Sequence, residues 1–173
     1  MEDKNREQLK GLFATIFGNL RELSDTDIKK FFSWMMRKSK LYADAIQKTK
    51  FNILPDKLVR GDIVFCSFGT NIYPEFSDKE TEKHYAIIWL QQGYNFVVIP
   101  ITKQGSKTNN PYSVPLGKIP NMPAEENYAK LDAIRSVSIR RISRVSGVSG
   151  GKIVCPQVKE IVNDALYKLF IDK

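Results

Sequence analysis

Apolar residues change their spacing near Pro55, and that change divides the chain into two regions that cannot fold by the same rule. Before it, Leu9, Leu12, Phe13, Ile16, Phe17, Leu20 and Leu23 recur at helical intervals and predict one amphipathic helix. Ser24-Asp25-Thr26-Asp27 then offers a cap with an acid three residues on. From there Ile28, Phe31, Phe32, Met35, Met36, Tyr42, Ala45 and Ile46 carry a second stripe to about Lys48, with Ser39 as a point where the helix can break. Two facing apolar stripes joined by a short connection predict a helical hairpin, each stripe of which must be buried against something.

After Val59 the runs are short, β-branched and aromatic: Ile63-Val64-Phe65, Ala86-Ile87-Ile88-Trp89-Leu90 and Phe96-Val97-Val98-Ile99. They are too short for helices and predict strands. Gln92-Gly93-Tyr94-Asn95 is a tight connection that makes the last two an antiparallel hairpin. Tyr112 to Leu116 predicts a further short strand, Ile119 to Glu126 a proline-bearing loop, and Tyr128 to Val137 more strand. Gly147 to Gly151 breaks the chain, and Pro156 opens a helix with Val158, Ile161, Val162, Ala165, Leu166 and Leu169 on one face. The fold class expected is α+β: a small, strongly bent antiparallel β-barrel with a C-terminal helix, preceded by an N-terminal α-helical hairpin.

At 173 residues, there is material for one ordinary domain and a modest extension. An apolar fraction of 42% beside 27% charged residues is that of a folded, water-soluble chain. No apolar run reaches the ~18 residues that a membrane span needs, and the acidic start lacks the pattern of a secretory signal. The expected location is cytoplasmic. Cys66 and Cys155 are the only cysteines, both among apolar residues, which gives no disulfide framework. A single histidine without carboxylates at ligand spacing argues against a protein-held metal, so metal-independent chemistry and no cofactor are expected. The net charge of +8 predicts attraction to polyanions, nucleic acid first, although solvated lysines alone can produce such a balance.

Three pieces then stand in order: Arg60-Gly61-Asp62-Ile63-Val64 running to Phe68-Gly69, Pro100-Ile101-Thr102, and Ile134-Arg135-Ser136-Val137 followed by Arg140-Arg141-Ile142. Each alone is weak. In this order and with a closing helix, they resemble the MazF/PemK family of toxin endoribonucleases from about Leu58 onward. The resemblance divides the chain into residues 1–57, a helical extension without a match, and residues 58–173, the barrel domain.

Gly61 suits the turn that launches the first strand, and Asp62 can brace that turn, so architecture explains both. Arg60 can touch phosphate, but a structural ion pair explains it equally. The resemblance implies that the loop Asn71 to Lys83 closes over RNA and responds to an antitoxin. Its four acids, Glu75, Asp78, Glu80 and Glu82, sit oddly with a polyanion.

Cleaving RNA without metal requires activating the ribose 2′-hydroxyl, stabilising the crowded phosphorane and protonating the 5′ leaving oxygen. The resemblance assigns this work to an arginine at the start of the second strand and a threonine at the end of the third. Thr102 matches the threonine. His84 stands where the arginine is expected, which replaces a fixed cation with an imidazole whose ordinary pKa lies near 6.5. A lone strand-end histidine is more often a surface group or a satisfied hydrogen-bonder; the aligned position is what favours chemistry. Lys83, Lys103 and Arg135 are the candidates to supply the arginine's charge, with Lys103 disfavoured because alternation, if the strand continues through it, sends it to the face opposite Thr102. The catalytic pair expected is therefore His84 and Thr102, with Glu75, Lys83, Lys103, Gln104 and Arg135 as RNA-binding residues. Tyr73, Phe76 and Tyr85 are candidate stacking platforms for unstacked bases.

What the resemblance implies is a toxin of a type II toxin-antitoxin system, cutting single-stranded RNA to a 2′,3′-cyclic phosphate and a 5′-hydroxyl. The partners expected are single-stranded RNA, an antitoxin protein and a second copy in a homodimer. The rival from another class is a non-catalytic small barrel that binds nucleic acid or protein, with His84 incidental. A third possibility is an enzyme held inactive by its own N-terminal helices.

Overall fold

The computed structural model describes residues 2–47, 54–69, 83–103, 105 and 110–171. Helix α1 spans Glu2–Leu20 and α2 spans Asp25–Ile46. Ser24 caps α2 as its sequence predicts, its hydroxyl accepting from the Asp27 amide at 3.2 Å and donating to the Asp27 carboxylate at 2.7 Å. That hydrogen bond, ahead of the nearby Lys30 charge, holds the Asp27 carboxyl below its usual range. The helix runs through Ser39 unbroken, because the Ser39 hydroxyl donates to the Met36 carbonyl at 2.8 Å within the turn. The two helices meet through a ring contact between Phe17 and Phe32, with centroids 5.5 Å apart.

Seven antiparallel strands follow: β1 Ile63–Cys66, β2 His84–Gln92, β3 Asn95–Thr102, β4 Ser113–Pro115, β5 Tyr128–Lys130, β6 Arg135–Ser138 and β7 Ile142–Ser143. Their order is β4-β5-β3-β2-β1-β7, with β6 also paired to β3. The expected α+β arrangement is present, as a bent sheet that does not close on itself. Strand β3 makes the bend: its first half, Asn95 to Val98, pairs with β6, and its end, Ile101 and Thr102, pairs with β5. The strand signal over Tyr128 to Val137 is interrupted by a 3-10 turn at Leu131–Ala133, which lets β5 and β6 lie against different parts of β3.

Gly61 has a φ of 96° that few side chains tolerate, and a Cβ there would stand 2.9 Å from the Cβ of Lys159 on α3 (Pro156–Phe170). Asp62, 2% exposed, accepts from the Val59 amide at 2.7 Å and from Lys152 Nζ at 2.7 Å, which confirms its architectural role. Arg60 is held in the scaffold too, by contacts other than the ion pair expected: its Nε donates to the Trp89 carbonyl at 3.0 Å and its guanidinium lies 5.1 Å from the Trp89 ring centre, with no ion pair among the described residues.

Each sheet face carries its own core. Val158 and Val162 of α3 pack with Ile63, Ile87, Ile99 and Ile101 on one face. Val64, Cys66, Phe68, Ala86, Ile88 and Val98 form the other. That second face leads to the candidate site.

Candidate functional site

Strand register brings the two proposed reactive residues together. Ala86 pairs with Pro100 across β2 and β3. His84 lies two residues before Ala86 and Thr102 two after Pro100, so both share the Ala86 and Pro100 face at adjacent strand ends. On the other side of β2, His84 pairs with buried Cys66. Arg135 pairs with Val98, four residues along β3 from Thr102, and so belongs to the same face. The Phe68 ring, 1% exposed, joins these groups: its centroid is 6.5 Å from the His84 ring, and the Arg135 guanidinium carbon lies 5.6 Å from it. Arg135 Nε donates to the Ala133 carbonyl at 3.4 Å.

A cleft of about 240 Å³ opens at this strand end, lined by Lys83, His84, Tyr85, Ile101, Thr102 and Lys103, with Met122, Pro123, Ala124 and Asn127 on the facing loop. Alternation along the strands sends Tyr85 and Ile101 to the face opposite His84 and Thr102; β3 ends at Thr102, so the alternation expected to carry Lys103 to that face does not extend to it. The cleft nevertheless takes lining from both faces, because it sits at the open end of the sheet. Lys83 and Lys103 are thus brought to it, while Arg135 approaches His84 through Phe68 and is not part of the lining. Glu75 and Gln104, with Tyr73 and Phe76, lie outside the described residues.

Burial, and after it the charge of Arg37 on α2, lowers the Lys83 pKa from its ordinary value. Burial raises the Tyr85 hydroxyl, whose ring packs 4.6 Å from that of Phe65, which favours a packing role over an open stacking platform.

Several contributors lack a motif in the sequence. Tyr128 pairs directly with Thr102 and donates its hydroxyl to Glu126 at 3.1 Å. That hydrogen bond, then the Glu126 charge, then burial, keeps the phenol protonated beyond its usual range. The wall of the cleft is set by Asn127, 1% exposed, whose Nδ2 donates to Gly117 O at 2.9 Å and Ala124 O at 3.1 Å. A buried asparagine ending a proline-bearing loop was the available signal, and it points to shape rather than to chemistry.

A groove end with a histidine, a threonine hydroxyl and several cations within one neighbourhood can transfer protons and stabilise an oxyanion. Among the described residues no helix is long and apolar enough to cross a membrane. No curated protein matches the chain. Residues 59–170 match the family model described as PemK-like, MazF-like toxin of type II toxin-antitoxin system, and the matched segment starts after α1 and α2.

Proposed function

We propose, from the premise that this chain belongs to the PemK-like, MazF-like family of type II toxins, that it is an endoribonuclease acting on single-stranded RNA without a metal. The observation that carries the reading is the placement of His84 and Thr102 on one sheet face at one cleft, with Arg135 on that face and Lys83 at the rim. In the proposed reaction the ribose 2′-oxygen loses its proton and bonds to phosphorus. The bond from phosphorus to the 5′-oxygen breaks, and that oxygen takes up a proton. The products are a 2′,3′-cyclic phosphate and a 5′-hydroxyl.

His84 is the proton carrier of this exchange, a task suited to an imidazole at neutral pH. Thr102 donates its hydroxyl to a non-bridging oxygen as charge builds there. The positive charge that a fixed arginine would supply comes from Arg135 and Lys83, the first sharing the His84 face and the second next to it in the chain. Lys103, which lines the cleft next to Thr102, is a phosphate contact, and Glu75 and Gln104 are assigned to RNA binding on sequence grounds alone. Residues 1–57 form an extension and 58–173 the domain that acts on RNA. An antitoxin protein is the partner in this reading, and a homodimer the acting form in the cytoplasm.

The test is incubation of purified protein with mixed single-stranded RNA in excess chelator, comparing wild type with His84→Ala and Thr102→Ala. Removing His84 is expected to lower the rate about 10²- to 10⁴-fold, the ordinary worth of a positioned proton carrier. Removing Thr102 is expected to cost about 10²-fold, the low end for one oxyanion donor. Undiminished cutting by both variants assigns the chemistry elsewhere, and wild-type protein that binds RNA without cutting it is a binding module.

A further inference from the structure

Helix α2 lies outside the matched residues, yet it touches the scaffold of the cleft. Trp34, half-buried, packs on Gly69, whose φ of 87° and closeness to the indole leave no room for a side chain there. Arg141 places its guanidinium 5.0 Å from the Trp34 ring centre. The same Arg141 donates from Nη1 to the Ser67 carbonyl at 3.3 Å and the Phe68 carbonyl at 3.0 Å. Phe68 is the ring that stands against both His84 and Arg135. The contacts therefore run without interruption from α2 to the reactive imidazole. One turn beyond Trp34 on the same helix, Arg37 acts electrostatically on Lys83, the residue before His84. Two side chains of one helical turn thus reach the segment that follows β1 and the residue that precedes β2, both close in the chain to groups around His84.

We propose that Trp34 is a positioning residue of the cleft: through Arg141 and Phe68 it sets where His84 and Arg135 stand, so the helical extension is a required part of the site. A detachable inhibitor would bind over the cleft; Trp34 instead packs on the Gly69 backbone, next to Phe68 in the chain. The inference rests on the reading of this cleft as the RNA-cleaving site, and its test separates the two.

The chain has one histidine, so in untagged full-length protein the imidazole proton signals in NMR report His84 alone. Wild type, Trp34→Ala and Trp34→Phe are compared by His84 titration and by steady-state cleavage of single-stranded RNA, with thermal melting to confirm folding. Trp34→Ala is expected to move the His84 resonance and its midpoint. It should also lower kcat about tenfold, within the range that misplaced reacting groups produce, while KM changes less than about twofold. Trp34→Phe, which keeps an aromatic face for Gly69 and Arg141, should recover most of both. Should Trp34→Ala fail to fold, Arg141→Lys, which loses the planar fork but keeps the charge, is expected to move the same two readouts. An unmoved His84 titration with unchanged kcat overturns the proposal, as does a rise in cleavage, which would make the helices inhibitory. A wild type that cuts no RNA, with a His84 signal that still answers to Trp34, removes the cleavage reading and supports the positioning role.

Discussion

The sheet and the helical hairpin carry apolar patterns of similar clarity and meet opposite fates. Ile63, Ile87 and Ile99 in the sheet are 0% exposed, whereas in α1 Leu12 is 62% and Phe17 57% exposed, with Leu20 the one buried residue of that helix among those whose side chains are described. Periodicity therefore specifies that a helix forms and which face is apolar, but not what covers that face. Among the described residues the helices of the hairpin meet through the Phe17 and Phe32 rings and reach the rest of the fold through Trp34 on Gly69, while the sheet is held by two cores and α3. A region joined by a few specific contacts can be shifted by single substitutions that leave the other region folded.

That contrast is breakable, most sharply by one kind of truncation in both places. Ile87→Ala should cost about 4 kcal/mol in chemical denaturation, since a fully buried Ile leaves a cavity, whereas Leu12→Ala should cost less than about 0.5 kcal/mol. Equal losses would mean that α1 is buried in solution against something further. Next in size, Asp62→Ala should remove about 3 kcal/mol by stranding Lys152 and the Val59 amide, seen as a lower denaturant midpoint. Ser24→Ala should cost about 1 kcal/mol, and hydrogen exchange should show it confined to the first turns of α2 while the sheet amides stay protected.

The smallest effect concerns Lys83, where the two regions meet. Its folded pKa lies below the unfolded one, so the folded state binds fewer protons through the window between them. Stability is therefore reduced below that window and regained as pH rises through it, and any hold of Lys83 on phosphate fades at a lower pH than for an ordinary lysine. Arg37→Gln should move the Lys83 titration upward, by less than burial moves it downward, and an unmoved titration would sever α2 from the cleft.

Much of this was legible in the sequence where local chemistry decides the outcome. Gly61 demands its turn, Ser24 its cap and Pro156 its helix start, whereas the period-two alternation expected to separate Lys103 from Thr102 stops with β3 at Thr102. His84 and Thr102 came together because each ends a strand of one short hairpin, which chain order already encodes. The unbroken passage of α2 through Ser39 was not legible, since a serine that bonds back within its own turn looks the same in sequence as one that ends a helix. Nor was the break at Leu131–Ala133, where pairing to two parts of β3 overrides strand propensity. Trp34 looked like one more member of a helical stripe. Its meaning lies in Gly69 and Arg141, far away in sequence, and no spacing announces that meeting.

The ends of the sheet carry one more consequence. On the path from β4 to β7 the outer strands are three and two residues long, and β4 finishes on Pro115, which has no amide hydrogen to offer. Such borders give a passing strand too little ladder to extend. At those two borders, copies of this chain crowded together find little to zip onto, and association there is left to the matching of side-chain surfaces.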